Sequence, residues 1–150
     1  MEKFYDKSRE KWIADRPEEK LRHRWYKILV EELLYPSSLV RLEASIKELK
    51  VDQADKHLLP CRRIDIVVYA PLQKEGLQPF LLIECKKGRG DVRKKALHQV
   101  HGYNRHIQAP FVAAVNEENV FFACVVAEKA SEWDHFLSYK QAMEYIRLFV

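Results

Sequence analysis

Residues 84–86 place a carboxylate and an ammonium two positions apart, at the end of an apolar run that begins at Phe80. Apolar runs of this length between turn residues are typical of a buried strand, on which side chains alternate between two faces. Glu84 and Lys86 therefore share one face, and Cys85 points to the other. Charged groups at the end of a buried strand cost free energy unless something pairs with them. A cation and a phosphate would both meet that need.

An isolated acid, Asp65, lies in the preceding apolar stretch, residues 63–69, whose β-branched and aromatic residues predict a strand. If the two strands form a hairpin, Asp65 lies across from Glu84. Neighbouring carboxylates repel and raise each other's pKa unless a cation lies between them. Mg²⁺ prefers such oxygen ligands, Mn²⁺ is the expected substitute, and the backbone carbonyl of Cys85 is a further candidate ligand. The metal would lower the pKa of a bound water, while Lys86 orients the attacking water or stabilises the transition state.

Ordinary structural roles compete with this reading of the charged residues. Glu84 and Lys86 could form an ion pair at a solvated strand end, and Asp65 could cap a turn or pair with Arg63. An acid enclosed by Ile64 and Ile66 fits that alternative poorly. A helical histidine group could bind a transition metal, although exposed helix histidines are far more common. Its members are His98, His101 and His106.

A strongly basic segment follows the charged strand end. Residues 86–95 hold six basic side chains and one acid, Asp91. Such runs usually form a solvated face, but this one starts at the candidate site and enters the next helix. Contact with a phosphate backbone is therefore expected, with Arg22 of the first helix lining the same groove. Besides Lys86, the basic residues are Lys87, Arg89, Arg93, Lys94 and Lys95.

Length and composition bound the class of protein. A chain of 150 residues predicts a single domain, and 47% hydrophobic residues with seven Phe, seven Tyr and three Trp exclude a disordered chain. No apolar run reaches about 18 residues, so no membrane partner is expected. The N-terminal residues lack the apolar core of a leader peptide. Three widely spaced cysteines indicate reduced thiols and a cytoplasmic location.

The pattern along the chain predicts the element order α-βββ-α-ββ-α. Residues 1–14 are interpreted as a charged arm or short helix, and Asp15 is expected to cap a helix that ends before Tyr35. Residues 39–46 fit a strand or a helix, and the charged loop at 47–60 favours the strand. The expected core spans residues 16–126 and the last helix 131–150. The further predicted elements are strands at 63–69, 80–86, 111–115 and 120–126, a helix from Asp91 to Ile107, and a final helix capped by Ser131, with Trp133, Phe136, Leu137, Met143 and Ile146 facing inward.

Taken together, these motifs resemble the PD-(D/E)XK nuclease superfamily. More narrowly, residues 16–122 are similar to the N-terminal nuclease domain of type I restriction enzyme R subunits. The segments that carry the resemblance are 16–22, Tyr35-Pro36, 63–68, 83–86, the Q-x-x-x-Y motif of Gln99 and Tyr103, and Asn116. The resemblance implies a restriction-endonuclease-like α/β domain, with a mixed central sheet flanked by helices and the site at one sheet edge.

The resemblance also implies functional roles for particular residues. Asp65 and Glu84 would bind the metal, Lys86 would be catalytic, and Gln99 and Tyr103 would contact DNA or the scissile phosphate. In this superfamily the first helix often supplies another acid. Glu18 is the candidate here, because Leu21, Trp25 and Ile28 follow it on the expected inward face. A capping acid at that position of a helix needs no other role.

The expected function is that of a stand-alone, metal-dependent DNA endonuclease. The proline of the superfamily signature is Ile64 here, and no G-x-x-x-x-G-K-[ST] motif occurs, so no ATP cofactor and no translocation are expected of this chain. A non-catalytic nucleic-acid-binding or accessory module with the same fold is the alternative. DNA is the expected partner, with a second copy of the chain or restriction-type subunits as further partners.

Overall fold

The fold is described from a computed structural model that covers residues 2–7, 9–14, 16–46, 49, 63–72, 76–126 and 131–149, without the side chains of residues 95–97. Eight strands and three α-helices occur in this part of the chain. The strands are β1 (Lys3–Asp6), β2 (Lys11–Ala14), β3 (Val40–Ser45), β4 (Arg63–Pro71), β5 (Leu77–Cys85), β6 (Phe111–Val115), β7 (Val120–Cys124) and β8 (Ser131–Trp133). The helices are α1 (Pro17–Lys27), α2 (Lys95–Ile107) and α3 (Tyr139–Phe149).

A six-stranded mixed sheet forms the centre of the molecule, with the order β3-β4-β5-β6-β7-β8. The β5–β6 pair is parallel, because α2 connects the two strands, and the other described pairs of this sheet are antiparallel. Residues of α1 and α3 pack on one face, and those of α2 pack on the other. The α/β class and the mixed sheet predicted from the sequence are confirmed.

The strand that carries the candidate site follows the predicted alternation. Leu81, Ile83 and Cys85 of β5 pack in the layer under α1 and α3, whereas Leu82 packs in the layer under α2. In the register between β4 and β5, Ile66 pairs with Ile83 and Val67 with Leu82. The predicted hairpin of the two strands is therefore confirmed, and so is the strand assignment of residues 39–46.

The N-terminal prediction of a charged arm or short helix was wrong, because β1 and β2 pair as antiparallel strands of a hairpin. Tyr5 and Trp12 face each other across the two strands with ring centroids 5.6 Å apart. The Arg9 Nε donates to the Asp6 carboxylate at 2.5 Å, which closes the turn. These contacts between side chains take the place of the Gly or Asn residues that normally mark a hairpin in a sequence.

The first helix begins at Pro17, with Arg16 in the N-cap position and without a capping side chain; Asp15 lies outside the described residues. The helix continues as a π-helix over Ile28–Glu32 and ends before Tyr35, as predicted. The predicted loop at 47–60 falls almost wholly outside the described residues. No described helix is long and apolar enough to cross a membrane.

The second helix starts later than the predicted Asp91. The Asp91 carboxylate accepts a hydrogen bond from the Arg93 backbone N–H at 2.8 Å. This side-chain turn gives the Arg93 N–H an acceptor outside the helix, and the helix starts only at Lys95. Val92 is buried under the same face as Val100, so its predicted inward position is confirmed.

The last helix also starts later than predicted. Ser131 lies in the short edge strand β8 and not in a helix cap. The cap is Ser138, whose hydroxyl accepts from the Gln141 N–H at 3.1 Å while the Gln141 side chain accepts from the Ser138 N–H at 2.9 Å. This reciprocal pair is a capping box. The predicted inward residues do pack into the core under α1 and α3, although Trp133, Phe136 and Leu137 precede the helix.

Candidate active site

The site is a cleft of about 820 Å³ between the start of α1, the start of β4, the end of β5 and the loop that leads to α2. Asp91, Val92, Gly90 and Asn116 complete its wall. Most of the residues that the sequence singled out for chemistry line this cleft. They are Glu18, Arg22, Asp65, Glu84, Cys85, Lys86, Lys87, Lys94 and Gln99. Tyr103, Arg89 and Arg93 lie outside the lining.

Asp65 is held by hydrogen bonds to both of its carboxylate oxygens. Its Oδ1 accepts from Arg22, with Nε at 3.1 Å and Nη2 at 2.6 Å. Its Oδ2 accepts from the Cys85 backbone N–H at 2.8 Å. A charge-assisted pair and a backbone donor together fix the orientation of the carboxylate toward β5. Oδ1 thus accepts two hydrogen bonds from the described residues, whereas Oδ2 accepts one from them and has a further lone pair.

Glu84 is buried beside Asp65, and in its protonated form it can donate a hydrogen bond to the Asp65 carboxylate. Burial, followed by the charge of Asp65 and that hydrogen bond, raises the pKa of Glu84 to about 9, against smaller opposing effects of Lys86 and Arg22. The second oxygen, Oε2, is buried and has no hydrogen-bond partner among the described residues. The structure thus brings the two carboxyl groups into the same cleft.

Arg22 is a buried structural cation rather than a surface contact for DNA. Only 8% of the residue is exposed, and its guanidinium also binds Glu19 at 2.7 Å and Glu43 at 3.2 Å. Although burial opposes it, the charge and hydrogen bonds of Asp65, together with the two glutamates, raise the pKa of Arg22. Although Arg22 lines the cleft, its donors face inward, onto three carboxylates, so its predicted contact with DNA is corrected.

Glu43 has an unusual backbone for a strand residue. Its φ is 53°, in the left-handed region, and the Glu43–Asp65 pair is missing from an otherwise continuous register between β3 and β4. Leu42 packs under α1 and α3, whereas Ala44 packs under α2. The local turn of the strand thus lets the Glu43 side chain reach Arg22.

Glu18 does not take the inward position that the helical stripe predicted. Its side chain is 61% exposed and lies 3.5 Å from Lys87, at the mouth of the cleft. The neighbouring Glu19 points inward instead, because two arginines bind it. No group of three or more His, Cys, Asp or Glu side chains among the described residues is placed to hold one ion, so Glu18 does not join Asp65 and Glu84. The histidine alternative fails by the same criterion.

Lys86 follows directly after β5 and is half-buried in the cleft near Glu84. Its backbone N–H donates to the Val115 carbonyl at 2.9 Å, which extends the β5–β6 pairing by one step. The Cys85 thiol packs in the core, and burial raises its pKa well above the usual value. The thiol is therefore unsuited to act as a nucleophile, as the sequence predicted.

Gln99 reaches the cleft, and Tyr103 lies behind it. The Gln99 amide donates to the Tyr103 hydroxyl oxygen at 2.5 Å, one helical turn away. Tyr103 is buried in the core layer between α2 and the sheet, whereas Gln99 is partly exposed. The pair that the Q-x-x-x-Y motif singled out is thus a single bonded unit that presents the amide to the site.

The basic segment is exposed, but several of its charges are already paired. Arg89 lies 3.4 Å from Glu117, and Arg93 lies 3.4 Å from Glu132 and over the Phe121 ring. Such exposed pairs are weak and can exchange for phosphate. Lys87 and Lys94 line the cleft itself. The side chain of Lys95 lies outside the described part of the chain.

The turn between β6 and β7 holds the wall of the cleft, a role that the sequence did not reveal. The Asn116 amide donates to the Gly90 carbonyl at 2.6 Å, and its oxygen accepts from the backbone N–H groups of Glu118 and Asn119. The Asn119 amide also donates to the Arg89 carbonyl at 2.8 Å. Asparagines in a short turn after a strand were the available signal.

Replacing Asn116 by Ala should loosen this wall. The change removes one of the two donors to the Gly90 carbonyl, which keeps the Asn119 amide, and leaves the Glu118 and Asn119 N–H groups without their acceptor. We therefore expect the free energy of unfolding to fall by about 1–2 kcal/mol. Hydrogen exchange at Glu118 and Asn119 should accelerate in the same variant. Glu118→Ala removes an exposed ion pair on the same turn and should change the free energy by less than about 0.5 kcal/mol. Equal effects of the two substitutions would contradict the assignment.

Two carboxyl groups, one of which has an unpartnered buried oxygen, fit a divalent cation. Mg²⁺ is usually held by one or two carboxylates together with water and substrate phosphate, which is the ligand set that Asp65 and Glu84 offer. The buried Oε2 of Glu84 is where the hydrogen bonds of the site leave an acceptor unsatisfied. A bound cation would satisfy it.

A comparison with known protein families gives one match to a family profile. The profile of the family described as type I restriction enzyme R protein N terminus matches residues 17–137, which contain every residue of the cleft. No curated protein matches the chain. The hairpin of β1 and β2 precedes the matched range.

Proposed function

Because the chain belongs to the family of type I restriction enzyme R protein N-terminal regions, we propose that it is a metal-dependent DNA endonuclease. One observation carries the proposal. Asp65 and Glu84 meet in a cleft next to Lys86, and one buried oxygen of Glu84 has no partner among the described residues. Two carboxyl groups and a lysine around a cation position form a site for phosphodiester hydrolysis.

Asp65, Glu84 and the Cys85 carbonyl would hold the metal, with Mn²⁺ as a substitute for Mg²⁺. The ion supplies charge neutralisation at the phosphate and a more acidic water. The residues of the chain prepare this position in advance. Arg22 and the Cys85 N–H orient Asp65, and burial of Glu84 makes its ionised form depend on a nearby cation.

Lys86 is the proposed catalytic cation. Its ammonium donates hydrogen bonds and accepts none, so it can orient the attacking water or stabilise the charge that develops on the phosphate. Gln99 has a second amide N–H that can donate to a phosphate oxygen, while its bond to Tyr103 fixes the amide plane. Lys87 and Lys94 supply positive charge at the cleft for the DNA backbone.

A non-catalytic module that binds nucleic acid is the second candidate. It is favoured by the hydrogen bonds that Asp65 already accepts, two on Oδ1 from Arg22 and one on Oδ2 from the Cys85 N–H. Such a module would keep the basic rim and bind DNA without cleavage. Metal-dependent cleavage separates the two candidates.

The test is DNA cleavage by Lys86→Ala beside the unmodified chain. With Mg²⁺ or Mn²⁺ and supercoiled, linear and single-stranded DNA, we expect the cleavage rate to fall by about 10²–10³-fold in the variant. Mn²⁺ binding should persist, because both carboxylates remain. Lys140→Ala removes an exposed lysine from α3 and should leave the rate unchanged.

Equal cleavage by the unmodified chain and Lys86→Ala would indicate a contaminating nuclease and refute the enzymatic function. Salt-dependent DNA binding without any metal-dependent cleavage would establish the non-catalytic module instead.

A further inference from the structure

The hairpin of β1 and β2 carries a buried arginine that faces α1 and β3. Only 9% of the Arg9 side chain is exposed, and each guanidinium nitrogen binds a different acid. Nε donates to Asp6 at 2.5 Å, Nη1 to Glu43 at 2.8 Å and Nη2 to Glu19 at 2.7 Å. The hairpin is thereby tied to α1, which borders the cleft, and to β3, which pairs with β4.

Glu19 and Glu43 each bridge two arginines. Glu19 binds Arg9 through Oε2 and Arg22 through Oε1, both at 2.7 Å. Glu43 binds Arg9 through Oε2 at 2.8 Å and Arg22 through Oε1 at 3.2 Å. Although burial opposes it, the hydrogen bonds and charges of the two arginines lower the pKa of Glu19.

The far end of this chain of contacts is the Asp65 carboxylate. Arg22 has its Nη1 on the two bridging glutamates and its Nε and Nη2 on Asp65. The orientation of Arg22 is thus fixed from behind by groups that Arg9 fixes in turn. A metal ligand is oriented by the groups behind it, and loss of such a group typically weakens metal binding 10–100-fold.

We propose that Arg9 is a positioning residue of the cleft, which holds Asp65 in place for a divalent cation through Glu19, Glu43 and Arg22. The inference rests on the proposed metal-dependent function and extends it to the N-terminal hairpin, which lies before the family-matched range. Arg9 does not line the cleft, so it acts on the metal ligand rather than on DNA.

A charge-conserving substitution tests this role. In Arg9→Lys the single ammonium cannot reach three acids in three fixed directions, although the net charge of the network is unchanged. We expect Mn²⁺ binding, followed by the spectroscopic signal of the free ion, to weaken about tenfold. In cleavage assays kcat should fall while the KM for DNA changes by less than about twofold.

Coupling to Arg22 separates positioning from a general loss of stability. In an Arg22→Lys background, where the relay is already broken, Arg9→Lys should change the Mn²⁺ affinity by less than about twofold. Arg41→Lys replaces an exposed arginine of β3 and should not change the affinity in either background. Additive effects of the two substitutions at positions 9 and 22 would overturn the proposal.

Glu43→Asp provides a second variant if Arg9→Lys fails to fold. The shorter acid conserves charge and tolerates the left-handed backbone at this position, but it cannot span both arginines. It should also weaken Mn²⁺ binding, by about threefold or more, and lose that effect in the Arg22→Lys background. Unchanged affinity in a folded Glu43→Asp protein would refute the relay.

The same measurements distinguish this inference from the function on which it rests. If the unmodified chain binds no Mn²⁺, the metal-dependent function fails and the relay fails with it. If the unmodified chain binds Mn²⁺ and folded Arg9→Lys binds it equally well, only the relay is overturned.

Discussion

Glu84→Gln should abolish DNA cleavage and yet stabilise the metal-free protein. The amide cannot ligate a cation as a carboxylate does, so we expect the cleavage rate to fall by at least about 10³-fold. The gain in stability follows from the raised pKa of Glu84, about 9 in the folded chain. At pH 7 the folded carboxyl must take up a proton that the unfolded chain has already lost, and this costs about 3 kcal/mol.

The same carboxyl group also determines whether the stability of the folded chain rises or falls with pH. Between the ordinary glutamate pKa and about 9, the folded state binds more protons than the unfolded state, so stability falls as pH rises through that window. Glu84→Gln removes this slope. Allowing about 1 kcal/mol for the new buried amide, we expect the variant to be more stable by about 2 kcal/mol at pH 7, or about 4–8 °C in Tm.

Thermal unfolding in EDTA between pH 5 and pH 9 checks both points. Glu144→Gln on α3, an exposed acid, should leave the pH profile unchanged. Mn²⁺ should raise the Tm of the unmodified chain and have no effect on Glu84→Gln. A Tm for Glu84→Gln below that of the unmodified chain at every pH would contradict the buried, protonated state.

Arg22→Met should be the most destabilising substitution at the site. The change leaves Asp65, Glu19 and Glu43 with one buried cation fewer, and breaking a buried ion pair from one side costs about 3–5 kcal/mol. We therefore expect the Tm to fall by about 6–20 °C. Mn²⁺ should restore part of this loss, because a divalent ion beside Asp65 replaces some of the missing positive charge.

The control for Arg22 is an exposed arginine of α3, in the variant Arg147→Met. It should alter the Tm by less than about 2 °C, because surface charges contribute little. A loss of less than about 1 kcal/mol in Arg22→Met would mean that the guanidinium is not the cation that compensates the three acids.

Strands with a clear hydrophobic pattern made the centre of the fold predictable. The runs around Asp65 and Glu84 alternate or are fully apolar, and a strand buried on both faces admits few other conformations. Pairing of neighbouring strands then placed the two acids together without further information. The Q-x-x-x-Y spacing likewise fixed one face of α2, because residues four apart lie on the same side of a helix.

Elements held by side-chain contacts were not predictable in this way. The hairpin depends on Arg9, whose three partners are separated from it by 3, 10 and 34 positions in the chain. No local pattern encodes such a network. The choice between Glu18 and Glu19 failed for a related reason: apolar spacing predicted the inward face, but two buried arginines pull the neighbouring acid inward instead.

The backbone at Glu43 also affects how the sheet can pair with other copies of the chain. β3 is an edge strand of the six-stranded sheet among the described residues. An edge with an unbroken row of free backbone groups is a template for strands of other molecules, and thus for aggregation. The left-handed backbone at Glu43 interrupts that row near its middle. We therefore expect the same residue that bridges the two arginines to protect this edge from intermolecular sheet growth.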